Sequence, residues 1–129
     1  MPLFRKSETK PNSPQDSGPV TRIRNTDEWT SFLAQSGDEP VLIFKHSTVC
    51  GISSSVLSDI TTFVNQTHPT TPFGLIHVVE DRSLSNAIAE QTGIRHESPQ
   101  LIAFHHGHPT WHASHWSIDL DDLDRHLTL

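Results

Sequence analysis

The segment that most constrains the fold runs from residue 41 to residue 53, where an apolar run passes through a short polar turn into an amphipathic helix. Residues 41–44 are all apolar, and three of them are β-branched or aromatic. Such a run is typical of a strand buried on both faces, as in a largely parallel sheet covered by helices. Apolar residues then recur at three- and four-residue spacing, at Ile52, Val56, Ile60, Phe63 and Val64. This change of period predicts a helix beginning close to Cys50.

Cys50 is the only cysteine of the chain. A helix start offers unsatisfied backbone N–H groups and the positive end of the helix dipole, and both favour a thiolate over a thiol. A free cysteine can instead be a small buried hydrophobe, and the residue type alone leaves this alternative open. The polar neighbours Ser47, Thr48 and Ser53 favour a reactive thiol, because a core cysteine is expected within the apolar run.

Length and charge exclude several classes of protein. The 129 residues suffice for one domain with a conventional hydrophobic core. One cysteine forms no internal disulfide, and neither a membrane-spanning apolar stretch nor the apolar core of a signal peptide is present. We therefore expect a cytoplasmic protein without a membrane span. The net charge of −6 argues against a nucleic-acid partner.

Before the central segment, the sequence predicts a tail and then the start of the domain. Residues 1–19 are rich in proline and polar side chains, so we expect a disordered tail followed by one domain over residues 20–129. Residues 20–23 alternate apolar and polar and predict a short edge strand. Thr26 is predicted as the N-cap of a helix that stops at Gly37.

After the central helix the strand–helix alternation continues and then changes. Residues 75–79 predict a buried strand, and a helix from Ser83 ends at Gly93. Strands at 101–104 and 110–116, joined by a turn at 107–109, predict a hairpin. A last helix is expected from about Asp119. A βαβα half followed by a ββα half is the thioredoxin plan, an α/β fold with a central mixed sheet flanked by helices.

Three separated blocks resemble the YtxJ-type monothiol bacilliredoxins, thioredoxin-fold proteins of the bacillithiol redox system. They are Phe-Lys-His-Ser-Thr before Cys50, with Ile and Ser at 52 and 53; Ser98-Pro99-Gln100; and Trp-His-Ala-Ser-His-Trp at 111–116. The resemblance implies that Cys50 is catalytic and that Ser98 and Pro99 bind substrate, with a cis Ser98–Pro99 bond against the sulfur. This chain departs from the family at Gly51, where proline is usual.

A single cysteine restricts the chemistry to a monothiol route. Ser53 occupies the position of a second, resolving cysteine, so Cys50 would take a small thiol from a mixed disulfide and return it to a second small-thiol molecule. The resemblance implies bacillithiol as co-substrate and bacillithiolated proteins as clients. Thr48, Gly51 and Ser53 are candidates to stabilise the thiolate, although the hydroxyls could equally cap the helix. Lys45 or His46, but not both, could add positive charge there.

Histidines are numerous near the C-terminus, with five of the ten falling within residues 105–115. Histidine clusters bind zinc, nickel or copper. However, pairs such as His105 and His106, or His112 and His115, are an odd number of residues apart and point to opposite faces of a regular strand. We therefore predict no physiological metal site. The family block containing His112 and His115 favours packing or hydrogen bonding.

Two other functions are compatible with the sequence. Cys-Gly-Ile-Ser at 50–53 is close to the Cys-Gly-Phe-Ser of monothiol glutaredoxins, which share an iron–sulfur cluster between two subunits with glutathione as second ligand. A thioredoxin-like stress protein or adaptor that binds clients without turnover is the other. Visible absorbance after anaerobic purification would distinguish the first, and absence of turnover the second.

Overall fold

A five-stranded mixed β-sheet with helices on both faces forms the centre of the part of the chain described here, residues 20–128 of a computed structural model. The tail predicted for residues 1–19 lies outside the described residues. In chain order the elements are β1 Val20–Arg22, α1 Thr26–Leu33, β2 Val41–His46, α2 Gly51–Thr67, β3 Phe73–His77, α3 Arg82–Thr92, β4 Gln100–His105, β5 His108–Ser114, a 3-10 turn His115–Ser117, and α4 Leu120–Leu127.

The sheet order is β1-β3-β2-β4-β5, which places the predicted central strand in the middle. β3 runs parallel to β1 and β2, whereas β4 is antiparallel to both β2 and β5. The carboxyl ends of β2 and β3 and the amino end of β4 therefore meet at one edge. The thioredoxin-like, mixed α/β architecture predicted from the sequence is confirmed.

Alternation along β2 divides the apolar core into two layers. Val41 and Ile43 pack towards α1 and α3, whereas Leu42 and Phe44 pack towards α2 and α4. All six residues of β2 are buried, including the polar Lys45 and His46 at its end. The strand thus carries two polar side chains into the interior, one on each face of the sheet.

Helix boundaries differ slightly from those predicted. Asn25, not Thr26, caps α1, because its side chain accepts a hydrogen bond from the Glu28 amide at 2.9 Å. The helix ends at Leu33, before Gly37. Gly93 ends α3 in the left-handed conformation, with φ of 73°, as predicted.

The hairpin turn begins one residue earlier than predicted, and the second strand begins two residues earlier. His106 and Gly107 have positive φ values of 53° and 78°, so they form the turn and β5 begins at His108. Pro109 lies within β5, where the register shifts and where an edge strand tolerates a missing amide. The predicted second strand also ends earlier, at Ser114, and continues as the 3-10 turn.

No helix within residues 20–128 combines the length and the apolar character needed to cross a bilayer.

Candidate functional site

Cys50 caps the amino end of α2 and is partly exposed. Its φ and ψ of −116° and 116° are extended, and its carbonyl accepts the first helical hydrogen bond, from Ser54, at 3.2 Å. The predicted position of the cysteine at the helix start is confirmed. Its side chain accepts no capping hydrogen bond, and the amides of the first turn have no acceptor within the helix. Those amides and the helix dipole are the groups available to stabilise a thiolate.

The turn before Cys50 is held by a buried hydrogen-bond network around Ser53. The side chain of Ser53 is fully buried, and its Oγ accepts the Ser47 amide at 3.1 Å and lies 2.8 Å from Nδ1 of His46. The Cys50 amide in turn donates to the Ser47 carbonyl at 3.2 Å. The Ser53 hydroxyl, predicted to stabilise the thiolate, therefore fastens the strand end to the helix.

The Thr48 hydroxyl is likewise engaged away from the sulfur. It donates to Oε2 of Glu80 at 3.0 Å and so connects the turn before α2 to the loop after β3. The Glu80 backbone amide and this hydroxyl together lower the pKa of the Glu80 carboxyl. The interaction keeps a carboxylate beside the Thr48 end of the turn, and any role of Thr48 at the thiolate stays a prediction.

Lys45 does not reach the thiolate. Its side chain is fully buried on the α1 and α3 side of the sheet, where Nζ lies 3.3 Å from the Ser85 carbonyl oxygen and 3.4 Å from Nδ1 of His96. Burial lowers the pKa of Lys45 to about 8. His46 points to the opposite layer and holds Ser53, so each of the two predicted sources of charge has a structural partner instead.

The Ser98–Pro99 peptide bond is cis, as predicted. Lys45 pairs with Gln100, so Pro99 lies one position further towards the end of β2 that leads to Cys50. The carbonyl of Pro99 accepts the His115 amide at 3.0 Å, which brings the end of the Trp-His-Ala-Ser-His-Trp block to the same edge. Contact between Pro99 and the sulfur stays a prediction.

Four exposed apolar side chains lie near this edge of the sheet, and no sequence pattern marks them as a surface. Val49 and Ile52 flank Cys50 with 82% and 49% of their surface exposed, Val79 follows β3, and Trp116 is 84% exposed beside the Pro99 partner His115. The three- and four-residue spacing predicts Ile52 on the buried face of α2. In the structure Ser53 is buried there and Ile52 points outwards. An apolar rim around one thiol suits contact with another protein.

The histidines do not form a metal cluster in the described segment. Within residues 20–128, no group of three or more His, Cys, Asp or Glu side chains is placed to hold a metal ion. His105 bonds to the Asp38 carbonyl at 2.8 Å, and His115 lies 3.7 Å from Glu97. The packing or hydrogen-bonding role expected of His112 and His115 stays a prediction.

We predict that Gly51→Pro raises the free energy of unfolding by about 0.4–1 kcal/mol. Gly51 is the first residue of α2, where proline is favoured, and a Cβ there would meet no atom within 4 Å. Cys50 already has the extended conformation that a following proline requires. Chemical denaturation measures the effect.

The same variant tests the backbone amide of Gly51 as a group that stabilises the thiolate. We expect Gly51→Pro to slow alkylation of Cys50, because proline removes this amide, and Gly51→Ala, which keeps it, to react like wild type. Equal alkylation rates in all three proteins would show that the amide plays no part.

We predict that stability falls as the pH drops below about 6.5, because three histidines are held neutral. Burial is the largest cause lowering the pKa of His46, His77 and His96. The charge of His77 lowers the pKa of His46 further, and the two ring centroids are 5.6 Å apart. The unfolded chain then binds more protons than the folded one below its histidine pKa, so stability is present above that pH and lost beneath it.

Denaturation at pH 7.5, 6.5 and 5.5 measures this loss. His77→Gln removes one of the three groups, so the difference in stability between wild type and this variant should shrink as the pH falls. A difference that is constant with pH would contradict the assignment to His77.

The fold and the site together define a thioredoxin-fold protein whose one cysteine lies at the start of α2. Three solved structures share the architecture. One, described as having a thioredoxin fold, is 25% identical with a TM-score of 0.75, covering 83% of this chain and 92% of its own. Thioredoxin NaTrxh from Nicotiana alata is 15% identical (TM-score 0.69; 91% and 96% covered), and a mutant thioredoxin from Halobacterium salinarum is 20% identical (TM-score 0.66; 86% and 91%).

Residues 21–123 match the family Monothiol bacilliredoxin BrxC, and the chain belongs to this family. The match spans all three sequence blocks, from the strand before Cys50 to the 3-10 turn at Trp116. It assigns the protein a thiol-redox function and confirms the resemblance to the YtxJ-type proteins.

Proposed function

We propose that this protein removes bacillithiol from mixed disulfides on client proteins, with Cys50 as nucleophile and bacillithiol as co-substrate. The observation that carries the proposal is the placement of the only cysteine, partly exposed at the start of α2, in a member of the monothiol bacilliredoxin family. Ser53 stands where a dithiol protein would have its second thiol, and it is fully buried. The chain therefore completes its cycle with a small thiol.

The exchange proceeds in two balanced steps. The Cys50 thiolate attacks the bacillithiol sulfur of the mixed disulfide, a new disulfide forms between them, and the client leaves as a thiolate that takes a proton from solvent. A second bacillithiol thiolate then attacks the bacillithiol sulfur held on Cys50. This step releases oxidised bacillithiol and restores the Cys50 thiolate.

Client proteins would contact the apolar rim formed by Val49, Ile52, Val79 and Trp116. Val49 and Ile52 flank Cys50 in the chain, Val79 follows β3, and Trp116 follows His115, whose amide donates to the Pro99 carbonyl. A client docked on this rim would present its modified cysteine to the sulfur. Because the second step consumes reduced small thiol, we propose the cytoplasm as the compartment.

Incubating the protein with one client modified by bacillithiol or by glutathione tests the proposal. Intact-mass analysis should show bacillithiol transferred to the protein and the client freed, followed by release when reduced bacillithiol is added. Transfer from the glutathionylated client at the same rate would contradict bacillithiol as the preferred co-substrate. An iron–sulfur carrier would instead give a protein that absorbs visible light after anaerobic purification, and we expect a colourless one.

A further inference from the structure

A polar pocket lies beside the candidate site on the α3 side of the sheet. It encloses about 220 Å³ and is lined by two valines, Val78 and Val79, and by the polar residues Ser47, Arg82, Ser85, Asn86, His96 and Ser98. Two of these residues adjoin the reactive group: the Ser47 carbonyl accepts the Cys50 amide at 3.2 Å, and Ser98 precedes the cis proline. A pocket below the 300–1,000 Å³ of whole-ligand sites holds a fragment of a ligand.

Positive charge is concentrated around this polar pocket. Lys45 lies directly beneath it, since Nζ contacts the Ser85 carbonyl at 3.3 Å and Nδ1 of His96 at 3.4 Å, and both residues line the pocket. Arg82 lies at its exposed side. After burial, the charges of Lys45 and Arg82 are the next causes that lower the pKa of His96, and the charge of Glu97 opposes them.

Negative charge is absent from the lining, as far as residues 20–128 are concerned. The nearby carboxylates are directed elsewhere. Glu80 accepts the Thr48 hydroxyl, Asp81 pairs with Arg22 at 2.8 Å, and Glu97 accepts the Ser114 hydroxyl. Arg82 therefore lines the pocket and Lys45 lies beneath it, while no carboxylate among residues 20–128 lines it.

We propose that the polar pocket binds a carboxylate of the low-molecular-weight thiol while the sulfur of that thiol is held by Cys50. The proposal rests on the function proposed above and adds what selects the small thiol. Arg82 and the pocket hydroxyls would bind the carboxylate oxygens directly, and the buried Lys45 would favour the negative charge from beneath. The covalent steps are unchanged, because the pocket only orients the thiol.

Two mixed disulfides on one client protein test this subsite. One carries 3-mercaptopropionate and the other 3-mercaptopropionamide, which have nearly the same shape and differ in charge. Transfer to Cys50 is followed by quenched-flow intact mass, and each rate is divided by the rate of attack by free 2-mercaptoethanol. Wild type should prefer the carboxylate, and Arg82→Gln should lower that preference by about tenfold while leaving the amide substrate unaffected.

Arg95→Gln is the matched control, because it removes the same charge next to His96 from a side chain that does not line the pocket. It should keep the carboxylate preference. Lys45→Met should also reduce the carboxylate preference, and circular dichroism checks that this variant folds. If Lys45→Met does not fold, Arg82→Gln still tests the subsite. Loss of preference in Arg95→Gln to the same degree as in Arg82→Gln, or equal wild-type rates for the two substrates, would overturn the subsite.

A third substrate distinguishes a carboxylate on the small thiol from one on the client. It is a peptide with aspartate beside a cysteine that carries 2-mercaptoethanol. An Arg82-dependent preference for this peptide over its asparagine counterpart, without one for 3-mercaptopropionate, would overturn the assignment to the small thiol. Failure of wild type to take bacillithiol from a modified client would overturn the proposed function and the subsite with it, whereas bacillithiol transfer without any charge preference among these disulfides overturns the subsite alone.

Discussion

Cys50→Ser is expected to abolish transfer of bacillithiol from a modified client to the protein, with no adduct detectable by intact mass. Serine replaces the sulfur by a hydroxyl that does not form the disulfide on which both steps depend. We expect the fold to be kept and the free energy of unfolding to rise by up to about 1 kcal/mol. Cys50 already has the extended conformation of an N-cap but makes no capping bond, and serine is among the preferred capping residues.

The matched control moves the thiol by more than one turn of the same helix. Cys50→Ser combined with Ser55→Cys carries one cysteine at an exposed position of α2, away from the amides of the first turn and from Pro99. We expect this protein to react no faster than an unstructured peptide thiol. Transfer at the wild-type rate would show that any exposed cysteine suffices and that the helix start contributes nothing.

The parts of the fold that the sequence predicted correctly are those with a strong period. The apolar run of β2 and the change to a three- and four-residue spacing after it identified the central strand, the following helix and the position of Cys50 between them. Gly93 identified the end of α3 because glycine adopts its left-handed conformation without steric cost.

Buried polar residues were the parts that the sequence could not predict. Lys45 can be buried because its ammonium group bonds to the Ser85 carbonyl, 40 residues away, and contacts His96. Neither partner can be inferred from local spacing. The burial of Ser53 is likewise invisible in the sequence, because a serine three residues after the cysteine is equally compatible with an exposed or a buried hydroxyl. The hairpin turn begins at His106 and not at Gly107, because His106 adopts positive φ although it is not a glycine.

The pocket beside Cys50 was missed for the same reason. Arg82 begins α3 and His96 precedes β4, so the pocket is assembled by the parallel and antiparallel pairings that bring β3 and β4 to the two sides of β2. Trp116, by contrast, offered a signal: a tryptophan at the end of a motif, just beyond a predicted strand, is a candidate for an exposed contact residue.

Ser53→Ala is expected to lower the free energy of unfolding by on the order of 2 to 4 kcal/mol, because it leaves two buried groups without a partner. The Ser53 hydroxyl accepts the Ser47 amide and, with its one proton, donates to Nδ1 of a neutral His46, an arrangement consistent with the lowered pKa of that histidine. The gain in helix propensity from alanine is at most about 0.5 kcal/mol and does not offset this loss.

Urea denaturation of Ser53→Ala beside Ser54→Ala measures the difference, since Ser54 is the next residue of the same helix and is exposed. The control should remain within about 0.5 kcal/mol of wild type. The Ser47 carbonyl accepts the Cys50 amide, so a Ser47 amide without its Ser53 partner should allow the turn more conformations. We therefore expect folded Ser53→Ala to take bacillithiol onto Cys50 more slowly than wild type. A variant as stable as Ser54→Ala, with wild-type transfer, would mean that the turn is held by its backbone alone and that the buried serine contributes neither to stability nor to the position of the sulfur.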